Sequence, residues 1–175
     1  MPIWVASLAP RWAFALSTWT SLNVARYDVF KLGEAVLAGQ VARALRLLDG
    51  LQAEGEAAVL VPWTLTEDIR ALKRVKDAVA AGKPLPMALR EARVWGAKER
   101  LFERVVPLLA DHTVAGWVEA AQVCDGLVKG LKHPEWPLDP WDGLKRLVLM
   151  MLQGTAAKAS GPRGRAAAPR LALSA

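Results

Sequence analysis

The sequence predicts an all-α fold, a helical bundle of six or seven helices with poorly ordered N- and C-terminal extensions. Three observations point there. Apolar residues recur at the 3.6-residue helical period through residues 21–153. No segment alternates apolar and polar residues as a half-buried strand would. Glycines and prolines gather between the periodic segments, so the helices are joined by short loops. No internal repeat at a fixed period is present, which disfavours a solenoid.

From Val41 onward, Ala44, Leu45, Leu48 and Leu51 mark one helical face, and Gly55 is a stop. A longer helix carries Leu65, Ile69, Leu72, Val75 and Val79 on one stripe, with Arg70, Lys73, Arg74 and Asp77 outside it. Pro62 requires a first-turn position or a kink, and Gly82 and Pro84 end this helix. After Trp95 and Gly96, Leu101, Val105, Leu108 and Leu109 share one side of a further helix. The next holds Val114, Trp117, Val118, Ala121, Val128 and Leu131 in register. Pro134, Pro137 and Pro140 then punctuate a loop, and Asp139 before Pro140 reads as an N-cap with proline in the first turn. The last helix shows Trp141, Leu144, Leu147, Val148 and Met151, with Gly154 as its C-cap.

Three zones follow. Residues 1–20 are an atypical Trp-rich extension, 21–153 a helical domain, and 154–175 a basic tail of Ala, Gly, Pro and Arg that cannot build a core and is expected to be disordered. The net charge of +6 belongs to the ends. Arg11, Lys158, Arg163, Arg165 and Arg170 stand there without a single acid, leaving 18 of 23 basic residues in the middle against all 17 acids. A fixed phosphate-binding face on the folded part is therefore not supported by charge. The candidate nucleic-acid contacts are instead Arg163, Arg165 and Arg170 of the tail.

The hydrophobic fraction is 53%, yet no stretch approaches the roughly 18 uninterrupted apolar residues of a membrane span. The apolar start is broken by Pro2, Pro10 and Arg11 and lacks the basic lead of a secretory signal. No membrane association and a cytoplasmic location are expected. A single cysteine, Cys124, rules out an intrachain disulfide.

Catalytic chemistry needs titratable groups brought together, and their spacing here does not supply it. His112 and His133 fall in expected inter-helix segments, without a second ligand at i, i+4, and Cys124 has no CxxC partner. Cys124 lies on an apolar stripe with no basic neighbour to lower its pKa, as a small buried hydrophobe would. Gly82-Lys83-Pro84 lacks the upstream glycine, hydroxyl and strand of a phosphate-binding loop. Glu67, Asp68 and Glu99 alternate with basic residues, and Arg70, Lys73, Arg74 and Lys76 sit among acids, as on solvated helix faces. No cofactor, metal or intrinsic active site is expected.

Five segments carry a family resemblance: Val24-Ala25-Arg26-Tyr27-Asp28-Val29-Phe30-Lys31-Leu32, Ala38-Gly39, Ala42 to Gly55, Leu65-Thr66-Glu67-Asp68-Ile69-Arg70, and Arg93-Val94-Trp95-Gly96 with Lys98-Glu99-Arg100 after it. In order and spacing they resemble the C-terminal helical region of the delta subunit of the bacterial DNA polymerase III clamp loader, over about residues 21–153. In that family the helical domain joins a collar, a ring of five such domains that holds the clamp loader together. The resemblance implies a non-catalytic subunit that supports DNA replication within a DNA-directed DNA polymerase (a nucleotidyltransferase complex) without transferring nucleotides itself. Its implied partners are the ATPase gamma/tau-type and delta-prime subunits, with DNA reached indirectly through the complex. The family opens the sliding clamp through an N-terminal domain that residues 1–20 do not resemble. Clamp binding is accordingly not carried over, and the unmatched start suggests a truncated, frame-disrupted or mis-started gene, a choice the sequence leaves open. Arg93, Trp95 and Arg100 are the candidate subunit-interface residues. Two alternatives stay open: a helical module that binds nucleic acid through its basic tail, and a non-functional truncated product.

Overall fold

The computed structural model describes residues 28–55 and 58–156. Seven helices fill them: α1 over residues 28–37, α2 Val41–Ala53, α3 Leu60–Ala80, α4 Leu85–Glu91, α5 Ala97–Val105, α6 Asp111–Val128 and α7 Pro140–Ala156. No strand occurs among the described residues. The all-α bundle is therefore as the periodicity predicts, and no described helix is long and apolar enough to cross a membrane.

Helix α3 is the backbone of the bundle, packing on α6 and α4, while α6 also packs on α7 and α7 on α2. Leu65, Ile69, Leu72 and Val75 of α3 are buried, as their spacing requires, whereas Val79 at its end is 38% exposed. Short α1 is buried on most of its circumference through Val29, Leu32, Ala35, Val36 and Leu37. It reaches α7 where the Thr155 hydroxyl donates to the Val36 carbonyl (3.3 Å).

Local chemistry sets the helix ends. Pro62 occupies the first turn of α3, where its missing N–H has no intrahelical acceptor to lose. Asp139 caps α7 as its sequence predicts, Oδ1 accepting from the N–H groups of Trp141 (2.8 Å) and Asp142 (3.1 Å). Helix α4, preceded by Pro84 and carrying Pro86 in its first turn, is too short for the periodicity to reveal.

Several expectations are corrected. Gly154 does not end α7, which continues to Ala156. A Cβ at Gly154 would lie 2.4 Å from Cζ2 of Trp117, so the glycine makes room for that ring between α6 and α7. Helix α6 ends at Val128, leaving Leu131 67% exposed after the turn instead of on the apolar stripe. His112 is not in a loop; it stands exposed in the first turn of α6. Helix α5 stops at Val105, so Leu108 and Leu109 belong to the following turn, with Leu109 buried.

Candidate interaction surface

The candidate interface residues cluster around the corner between α4 and α5. Helix α4 ends in a Schellman turn: the Arg93 N–H donates to the Arg90 carbonyl (3.0 Å) and the Val94 N–H to the Leu89 carbonyl (3.0 Å). Three other helices close with the same pair of bonds, and each puts glycine at the left-handed position: Gly39, Gly82 and Gly130. Here the residue is Arg93, at φ 57°. A side chain in that conformation costs on the order of 1 kcal/mol. Burial of Val94 against the bundle, with Leu89 also buried, holds the turn closed.

Once Val94 points inward, the next residue must point out. Trp95 is 64% exposed and is a surface residue, not a core anchor. Gly96 then adopts φ 65°, ψ −132°, a backbone conformation open to glycine, and starts α5. Arg100, one turn into α5, lines a groove of about 810 Å³ between α5 and the α1–α2 corner. The groove wall alternates sign: Glu34, Glu99 and Glu103 against Arg43 and Arg100. Arg93 lies outside this lining, at the turn two residues before Trp95. Trp117 is buried as expected, and Trp141 packs against the core while partly exposed.

Beneath this surface lies a pair that surface patterning did not suggest. Asp68, expected on a solvated face, is 5% exposed. Its Oδ1 accepts from Nζ of Lys98 at 2.5 Å, while Oδ2 has no hydrogen-bond partner. Burial pushes the Asp68 carboxyl up from its ordinary range, against the pull of Lys98. Gly33 of α1 covers it so closely that a Cβ there would sit 2.6 Å from Oδ2. A signal was present in the sequence, because Asp68 follows Leu65 by three and precedes Leu72 by four, on the apolar stripe.

Trp63, 59% exposed on α3, was likewise not singled out; it edges a smaller groove of about 180 Å³ with Ala121, Gln122 and Asp125 of α6. The basic cluster on α3 is largely paired off: Arg70 with Glu67 (3.3 Å), Lys73 with Asp77 (2.6 Å), and Lys76 with the Leu109 carbonyl (2.7 Å) and Asp111 (3.0 Å). Cys124 is buried, its thiol pushed up to about 12 by desolvation, so it is not a nucleophile at neutral pH. Among the described residues no group of His, Cys, Asp and Glu is placed to hold a metal. Arg163, Arg165 and Arg170 lie outside the described residues, as do residues 1–20.

No family model matches the chain, and no curated protein matches it. Among solved structures, the Bacillus subtilis DNA clamp loader delta protein is similar, with a TM-score of 0.56 and 16% sequence identity. The likeness covers 74% of this chain and 37% of that one, and at this identity it is a likeness of fold.

Proposed function

We propose that the chain is a non-catalytic assembly module that joins a clamp-loader-type complex through its helical bundle. The observation that carries this reading is the fold shared with a clamp loader delta protein over 74% of the chain. The α4–α5 corner supports it. A tryptophan left 64% exposed beside an arginine held in a left-handed turn is a poor choice for stability alone and a good one for a contact. A domain wedged into a ring also needs two faces, and Trp63 offers a second exposed aromatic on a different element.

In this reading the partners are the ATPase gamma/tau-type and delta-prime subunits, and DNA is reached through the assembled complex. Neither catalysis nor sliding-clamp contact is assigned to the described residues. The test is co-purification of the full chain with those subunits at micromolar concentration. A stable complex that weakens when Trp95 becomes alanine is expected; absence of any complex overturns the reading.

A further inference from the structure

Between Val94 and Phe102 no side chain is fully buried; Leu101 packs partly buried against the core, and residues 95–100, which carry Trp95 and Arg100, have no apolar anchor of their own. It is nonetheless placed against the bundle. Lys98, in the first turn of α5, reaches down to Asp68 of α3 and lies over the Phe30 ring of α1 at 5.8 Å from its centre. Gly33, one turn of α1 after Phe30, supplies the space that Asp68 occupies. The next residue, Glu34, lines the same groove as Arg100. Three elements therefore meet on one ion pair, and Lys98 stands between Ala97 and Glu99, which both line that groove.

We infer that the Asp68–Lys98 pair, seated on Gly33, is a latch that fixes the first turn of α5 and so positions Trp95 and Arg100 on the surface. An isolated core ion pair adds little to stability that well-packed apolar groups would not match. What this one supplies is a fixed placement for a turn that has no buried side chain. The second half of α5 is held independently, by buried Phe102 and Val105 and by Arg104 donating to the Leu37 carbonyl (3.2 Å). Leu101 adds a partly buried contact at the boundary, and loosening is thus confined to residues 95–100. This concerns the chain's own conformation and holds whatever the chain assembles with.

The test is residue-resolved amide hydrogen exchange on the full chain. The double variant Asp68→Asn/Lys98→Met removes both charges and leaves none stranded in the core, so the bundle folds even where Lys98→Met alone does not. The amides to follow are those of Leu101 and Phe102, whose helical acceptors lie in the first turn of α5. We expect their exchange to accelerate at least about tenfold, with the amides of Leu65–Val75 in α3 and Leu144–Leu152 in α7 unchanged. Unchanged exchange at Leu101 and Phe102 overturns the latch. Equal acceleration in α3 and α7 also overturns it, since the pair would then be an ordinary part of the core.

Discussion

Asp68 combines two demands that usually exclude one another, a charge and a place among Leu65, Ile69 and Leu72. One oxygen is matched by Lys98, while the other has no donor. Removing Lys98 strands the carboxylate, which is the expensive half of breaking a buried pair. Lys98 keeps a 26% exposed side chain, so solvent tempers the loss. Lys98→Met is expected to cost about 2–3 kcal/mol in urea unfolding at pH 7. Asp68→Asn, which removes the charge and the desolvation with it, should cost about 1 kcal/mol.

The pH dependence distinguishes these variants. The groups acting on Asp68 are Lys98, which favours its ionised form, and Glu67 and Glu34, which oppose it together with burial. Its folded pKa is raised above the ordinary 3.8, so the folded chain binds the proton more tightly. The stabilisation from that proton is fully present below the unfolded value and fades as pH rises through the folded one. Wild type should therefore lose stability relative to Asp68→Asn as pH rises from about 4. In Lys98→Met the raised pKa goes higher still, and its deficit should shrink on acidification. A deficit independent of pH would show that Asp68 is not the group left stranded.

Arg93 is the second residue whose cost is visible. Glycine closes the equivalent turns at Gly39, Gly82 and Gly130, so Arg93→Gly is expected to stabilise by about 0.5–1 kcal/mol, raising the melting temperature by about 1–4 °C. If the same change also weakens subunit association, arginine is kept there for contact and not for folding.

At the scale of elements, α6 and α7 approach each other over two glycines. A Cβ at Gly143 would meet Leu127 Cδ1 at 2.6 Å, and one at Gly154 would meet the Trp117 ring at 2.4 Å. In an open helix, alanine for glycine gains about 1 kcal/mol. Here the contact reverses the sign, and the two sites should differ. Leu127 can turn its terminal methyl aside, whereas the buried Trp117 indole is rigid and 2% exposed. Gly154→Ala is expected to destabilise by about 2 kcal/mol and Gly143→Ala by less than about 1 kcal/mol, measured by thermal or urea unfolding. The same pair shows what a sequence discloses. Caps and first-turn prolines, such as Asp139 with Pro140 and Pro62, are decided by neighbours in the chain, and were legible. Gly154 reads locally as a stop; its actual role is set by Trp117, 37 residues away, which no periodicity encodes. Helix α4 is held by packing and too short to show a period, and Asp68 was hidden by neighbouring charges that do face solvent. Of the candidate surface, the position of Trp95 on a loop was legible, but its outward direction depends on Val94 filling the core first.

For the whole molecule, charge and apolar surface predict different modes of association. The region 21–153 is nearly balanced, with 18 basic residues against 17 acids, and the basic cluster on α3 is occupied by its own neighbours. A bundle of this kind has little to gain from releasing phosphate counterions. Its assembly should instead depend on buried aromatic area around Trp95, where truncating one central tryptophan typically costs at least about 2 kcal/mol, some thirtyfold in affinity. Trp95 contributes little to the fold at 64% exposure, so Trp95→Ala is expected to change unfolding stability by less than about 0.5 kcal/mol. Raising salt from about 50 to 200 mM should then weaken the protein complex only a fewfold, against about a thousandfold or more for binding through many phosphate contacts. Calorimetric or fluorescence titration of wild type and Trp95→Ala across that range reads both effects. A steep salt slope with no response to Trp95→Ala would assign the chain to nucleic acid and remove the α4–α5 corner from its interface.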